Sequence, residues 1–316
     1  MKTLLARTLL ANTLLAQTLL AGGTLLAVST VAAPRTFAED RLYAAEPLTE
    51  AHSFTLGVEG PACDQQGNVF AVNFAEQQTI GKVTPEGKAE VFVKLPGRST
   101  GNGLVFDRQG RLYVADYVEH NVLRIDPQTK EVEVYCAVPT TDQPNDLAIA
   151  PNGTIYASDP SWGAGTGQIW MVGADRQPRR VADGLGTSNG IEVSPDGKWL
   201  YVNESIQRNV WKFPIAADGT LGEKQLIKQF PDYGFDGMRC DVNGVLYITR
   251  HGKGTVVMMT PEGEELREIE VLGGQPTNIC FGGPDGKTVY VTEAEHGRVV
   301  RFRVEAPGAA WQRWQE

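Results

Sequence analysis

Six glycines set the frame of this chain. Gly67, Gly110, Gly153, Gly197, Gly244 and Gly286 each close a short turn signal, as in Pro151-Asn152-Gly153, between two β-prone runs. Successive members stand 43, 43, 44, 47 and 42 residues apart. Two short apolar runs around such a turn are the grammar of a hairpin. A repeat of that length, with several short strands per unit, is the sequence sign of a β-propeller. One unit cannot bury both faces of its sheet alone, so the repeats must pack around an axis. The expected fold is all-β: a six-bladed β-propeller with four antiparallel strands per blade. Residues 39–58 are a lead-in, and the stretch His52–Val58 is expected to add an outer strand that closes the ring.

Eight residues before each glycine stands an acid or an amide: Glu59, Asn102, Asn145, Asn189, Asp236 and Asn278. The chain has 38 Asp plus Glu and 12 Asn in 316 residues, so a complete column does not follow from composition. Asn and Asp favour turns, but that preference does not explain such a residue ahead of every inner strand. In a four-stranded blade this column precedes the first strand, close to the axis. The turn between strands two and three returns to the same face. Its column reads Asn73, Asp116, Asp159, Glu204, Arg250 and Glu293. The blade-three turn, Asp159–Gln168, is the longest there; it is rich in glycine and carries Trp162. It is either a substrate loop or a longer surface turn. Asn102, Asp159, Trp162 and Glu204 are the residues placed to meet a substrate, with Asn102 and Asn278 alternatively filling the funnel.

Glu59, Asn145, Asn189 and Asp236 offer only oxygen ligands. Hard oxygen donors suit Ca²⁺, with Mg²⁺ or Mn²⁺ as competitors. Zn²⁺ would bind less well, because no His or Cys joins the set. Two carboxylates match a divalent ion, and without one they would repel each other. The alternative is an axial channel of water bridging the amides. Other catalytic signatures are missing: no Gly-x-Ser-x-Gly elbow, no His-Glu-x-x-His and no phosphate-binding glycine loop. Metal-assisted chemistry is the remaining enzymatic route. A cation polarises an ester carbonyl, and Asp146, next to Asn145, is the expected general base.

The N-terminal region carries Lys2 and Arg7, no acid before Glu39, and TLLA five times. It reads as a signal peptide over 1–38 with cleavage after Ala38, or as an uncleaved membrane anchor. The mature protein, 39–316, is then a single propeller domain, exported to the periplasm or secreted. The whole chain has 29 basic and 38 acidic residues, a net charge of −9. That balance argues against a nucleic-acid partner. Cys63, Cys136, Cys240 and Cys280 form no Cys-x-x-Cys pair and read as buried free thiols, or as a disulfide that an export route permits and the sequence does not place.

Several stretches then resemble one family: EGPACD from Glu59, QPND through Asp146, SNGIEVSPDGKWLYV from Ser188, FDGMRCDVNGVLYIT from Phe235 and PTNICFGGPDGKTVYVTEA from Pro276. Together they resemble the gluconolactonase family, the regucalcin and luciferin-regenerating-enzyme group of six-bladed propellers. The resemblance implies one divalent metal, often calcium, in the central funnel, and hydrolysis of a lactone. It implies Glu59, Asn189 and Asp236 as ligands, Asn145 as a ligand or close neighbour, and Asp146 as an acid/base group. Regucalcin-type members carry Arg two residues before that Asn, where this chain has Gln143, so gluconolactone itself is not implied. Phosphotriester or aryl-ester hydrolysis on the same site, and a non-catalytic ligand- or partner-binding propeller, are the competing readings.

For the exported protein, N-terminal sequencing should return a chain beginning near Glu39; recovery of full-length protein in membranes would show an anchor instead.

Overall fold

The computed structural model describes residues 41–315. The leader assigned to 1–38 lies outside the described residues.

A two-residue strand, β1 (Glu46–Pro47), opens the fold. Blade one is β2 (Phe54–Cys63), β3 (Val69–Phe74), β4 (Thr79–Val83) and β5 (Ala89–Lys94). Blade two is β6 (Gly101–Phe106), β7 (Leu112–Asp116), β8 (Asn121–Ile125) and β9 (Val132–Ala137). Blade three is β10 (Leu147–Ile149), β11 (Ile155–Asp159), β12 (Gly167–Val172) and β13 (Pro178–Leu185). Blade four is β14 (Ser188–Val193), β15 (Trp199–Glu204), β16 (Asn209–Pro214) and β17 (Gln225–Gln229). Blade five is β18 (Met238–Cys240), β19 (Leu246–Arg250), β20 (Thr255–Met259) and β21 (Glu265–Glu270). Blade six is β22 (Pro276–Gly282), β23 (Thr288–Glu293) and β24 (Arg298–Arg303), completed by β1. A short helix, α1 (Ala309–Arg313), follows.

The chain is thus a six-bladed propeller of four-stranded antiparallel sheets. All six turn glycines have φ between 71° and 86°. That is left-handed backbone, which glycine enters without the steric cost of a Cβ. The closing strand differs from expectation. Glu46–Pro47 pairs with β24, whereas Phe54–Val58 begins the innermost strand of blade one. The ion pair between Arg301 and Glu46, at 2.9 Å, helps to fix this closure. All four cysteines are free and buried, as expected.

Inner and middle strands are buried on both faces, as the run LYVAD in β7 shows, and apolar side chains fill the space between blades. Phe70 meets Phe92 and Phe106 edge-on at 4.9 and 5.3 Å, and Phe106 meets Trp314 at 6.2 Å. The tail after α1 therefore packs on the face opposite the ring column, where Trp311 also approaches Gly286.

The inner strands crowd the axis. The residue after each ring position is Gly60, Gly103, Asp146, Gly190, Gly237 or Ile279. A Cβ on Gly60 would lie 1.9 Å from the Asn102 carbonyl, and one on Gly237 would lie 1.9 Å from Asn278 Oδ1. On Gly103 it would meet Asp146 Cα at 2.7 Å, and on Gly190 the Asp236 carbonyl at 2.5 Å. Each glycine admits the ring segment of the next blade. Gly103→Ala should cost about 1–3 kcal/mol, because backbone atoms must move. Gly163→Ala, with nothing within 4 Å of its Cβ, should stay within about 0.5 kcal/mol of the parent. Urea unfolding of both variants checks this; equal costs would remove axial crowding as the reason for the glycines.

Candidate functional site

The ring column was expected just ahead of the first strands. In blades three and five it is, with Asn145 and Asp236 before β10 and β18. In the other four blades the residue lies inside the strand, where pairing with the second strand slips: around Glu59, and at 101–104, 188–191 and 276–279. A bulge re-aims a side chain that would otherwise lie against the sheet.

The six ring residues are close neighbours. Asn278 Nδ2 donates to Glu59 Oε1 at 3.3 Å, across the blade-six to blade-one junction. Glu59, Asn102 and Asn145 line one cavity of about 230 Å³ with Tyr117 and Gln143. Asn189 favours the charged form of Asp236, against the effect of burial. Glu59, Asn145, Asn189 and Asn278 are buried, and Asp236 and Asn102 are partly exposed.

Electrostatics at the ring is unbalanced. Burial, then the charge of Asp146, pushes the Glu59 carboxyl up to about 8. Burial, then Glu59, pushes Asp236 well above the usual carboxylate range. Two amide oxygens, Asn145 Oδ1 and Asn189 Oδ1, are buried without a hydrogen-bond partner. The Asn189 amide nitrogen donates to Ser205 Oγ at 3.0 Å, which turns the oxygen away from that partner. A buried unpartnered acceptor is costly, and so are two neighbouring buried carboxylates. A cation relieves both. Glu59, Asn145, Asn189 and Asp236 therefore fit a hard divalent ion by the chemistry of their donors.

Asp146 does not point into the funnel. It is fully buried, and both its oxygens are held by Arg239, with Nη1 to Oδ2 at 2.9 Å and Nη2 to Oδ1 at 3.0 Å. The Leu147 N–H also donates to Oδ1. The carboxylate expected to act as general base is thus held in a buried bidentate ion pair, each oxygen already accepting a charge-assisted bond. Arg239 is the residue that sequence reasoning missed. Its column, three after the ring residue, reads Ala62, Val105, Ala148, Glu192, Arg239 and Phe281, so two charges among apolar positions were the available signal.

The second-turn column also serves the fold. Asp159 is fully buried and accepts from the backbone of Asp142 and Gln143 and from Trp170 Nε1. Glu204 is buried and accepts from the Gly186 N–H and Asn209 Nδ2. Both acids, expected to meet a substrate, here pin the loops between blades. Trp162 is half-exposed on the rim and lies outside the cavity lining. Asn278 is tied to Glu59 and to Ile279 N–H, whereas Asn102 lines the cavity. Glu293, Glu295 and His296 bring ligand atoms within 4.8 Å of one another at the blade-six turn. There Glu293 accepts from the Glu295 N–H and from His296 Nδ1 at 2.8 Å, which makes the trio another loop clasp.

Comparison with known proteins places this geometry. A family model described as "SMP-30/Gluconolactonase/LRE-like region" matches residues 36–295. The chain belongs to that family. It is 29% identical over 160 residues to a 6-deoxy-6-sulfogluconolactonase of Pseudomonas putida, covering 46% of this chain and 55% of that protein. It is 29% identical over 150 residues to a gluconolactonase of Zymomonas mobilis, covering 44% and 41%. The chain thus spans about half the length of the curated relatives it matches. A solved structure titled as a calcium-binding protein, regucalcin, from Agrobacterium tumefaciens superposes with TM-score 0.73 at 22% identity, covering 84% of this chain and 95% of that one. At that identity the likeness shows the fold.

The raised Glu59 pKa has a testable sign. Between the unfolded value of 4.5 and the folded value of about 8, the folded protein holds a proton that the unfolded chain has lost. Stability therefore falls as pH rises through that window. In EDTA the Tm should fall between pH 5 and pH 8, and Glu59→Gln should raise the pH 8 value on the order of 5 °C. Millimolar Ca²⁺ should raise the parent's Tm at pH 8, by binding only the folded ring, and leave Glu59→Gln nearly unmoved. A parent and variant with identical pH profiles would remove the electrostatic strain from the ring.

Proposed function

We propose that this protein is a cation-dependent lactonase that opens a cyclic ester by hydrolysis at the axial ring. The observation that supports this most is the pair of unpartnered amide oxygens, Asn145 Oδ1 and Asn189 Oδ1, in the same ring as the Glu59 and Asp236 carboxyls, with Asn145 and Glu59 lining a cavity of about 230 Å³. A divalent cation held by Glu59, Asn145, Asn189 and Asp236 would supply Lewis acidity toward an ester carbonyl. Calcium is the ion this oxygen set favours.

The chain's own contribution is positioning and proton transfer. Asp236 is the less buried of the two ring carboxylates, and in this reading it accepts the proton of the attacking water. The amides of Asn102 and Gln143 and the hydroxyl of Tyr117 line the cavity and would orient the ring oxygen and hydroxyls of a substrate. Two curated relatives are named for lactones, which supports that substrate class. The cavity lining includes no Lys or Arg, so an uncharged lactone suits it better than a phosphorylated or sulfonated one.

A pH-stat assay of EDTA-stripped protein tests the reading, with neutral lactones, an anionic lactone, an aryl acetate and a phosphotriester as substrates. Neutral lactones should turn over only after a divalent cation is restored, and Asp236→Asn should lower kcat by roughly 10²–10⁴. Turnover indifferent to EDTA, or confined to the aryl acetate or phosphotriester, would overturn it.

A further inference from the structure

Four of the six residues that follow a ring position are glycine, and a fifth is Ile279. Asp146 alone carries charge. Its side chain occupies the space left open by Gly103. Its partner Arg239 comes from blade five and passes beneath blade four, where Nη1 lies 3.4 Å from the Ile191 carbonyl. Arg239 also donates to the Met238 carbonyl at 2.6 Å, so its guanidinium is held in place from several sides. Both members are buried, with side chains 8% and 0% exposed.

The ring feels this pair. Asp146 directly follows the ring residue Asn145, and its Oδ1 and Cα lie 2.5 and 2.7 Å from where a Cβ on Gly103, the neighbour of Asn102, would stand. Three carboxylates therefore act at the axis, and Arg239 opposes one of them. The remaining nearby acid, Glu192, faces Arg239 Nε at 3.8 Å and Arg313 Nη2 at 4.0 Å, on the side away from the funnel. Arg313 offsets it. With both ring carboxyls ionised, as they would be around a bound cation, the charge left at the axis is two negative units, from Glu59 and Asp236.

We propose that Arg239 sets the charge of the axial cation site: by holding both oxygens of Asp146 it withdraws a third carboxylate and matches the ring to a doubly charged ion. This rests on the reading that the ring binds a cation. It makes Arg239 a positioning residue that touches neither cation nor substrate. The logic is Coulombic. In a buried region of low effective dielectric, one added or removed unit charge a few ångströms away changes cation affinity by roughly tenfold or more. The change scales with the charge of the ion, so a trivalent ion responds more than a divalent one.

Isothermal titration of EDTA-stripped protein with Ca²⁺ and with Tb³⁺ tests this. Arg239→Met removes the partner that keeps Asp146 ionised, so at a pH where that carboxylate stays charged the axis stands at −3. It should bind both ions more tightly, with the Tb³⁺ to Ca²⁺ affinity ratio rising about tenfold. Asp146→Asn leaves Arg239 uncompensated and the axis at −1. It should bind Ca²⁺ at least about tenfold more weakly and lower the ratio. The double variant Asp146→Asn/Arg239→Met returns the axis to −2 and should recover the parent's ratio. Arg239→Lys keeps the charge and should keep the ratio, even with a lower Tm. A purely structural role would weaken binding in every variant and would not produce this order. If Arg239→Met fails to fold because of its unpaired buried acid, the other three variants decide. An Asp146→Asn protein that binds Ca²⁺ like the parent, or a double variant that does not recover the ratio, overturns the proposal. A parent that binds neither ion overturns the ring reading as well; a parent that binds, followed by a flat series, overturns this inference alone.

Discussion

The closeness of six chain segments at one axis is the constraint from which the rest follows. Glycines at 60, 103, 190 and 237 let the inner strands approach until the next blade's ring segment fills the place of a side chain. At that distance the ring residues have little room to turn away. Bulges in four inner strands aim them at the centre, and the packed blades hold them there. Polar groups gathered in this way lose water and gain few partners. The cost appears in the perturbed carboxyls of Glu59 and Asp236 and in the bare oxygens of Asn145 and Asn189. Such strain persists where the surrounding structure over-determines it, and it clusters at functional sites.

Much of this was legible in the sequence. The turn glycines required left-handed backbone, and their spacing carried blade number and strand count. The ring column was visible because every blade repeats it. Information was lost wherever a side chain's direction depends on a partner far along the chain. Asp146 and Asn145 are adjacent, yet one faces the funnel and the other is clamped from 93 residues away by Arg239. No local pattern records that contact. Asp159 and Glu204 misled for a related reason. An acid at a turn on the ring face serves equally well to cap backbone N–H groups, and here those N–H groups belong to the linkers between blades. The closing strand was placed too late because Phe54–Val58 has the β-prone character of an outer strand, while Glu46–Pro47 is too short to register.

The face opposite the ring shows how far the inner charges reach. A cavity of about 440 Å³ there is lined by Glu192, Arg239 and Arg313 beside Trp314. Residues of α1 and Trp314 form part of its wall, so the C-terminal tail borders the space beside Arg239.

The junction between blades six and one has a consequence for synthesis. Glu59 and the amide that donates to it are 219 residues apart, and blade six needs a strand from each end of the domain. At the usual pace of about 5–20 residues per second, a ribosome spends roughly 10–45 s between the two. Throughout that interval blade one has an unclosed edge and an acid without its neighbour. The axial ring therefore closes in one late event. A nascent chain stalled before blade six can hold well-formed sheets and still lack a closed ring.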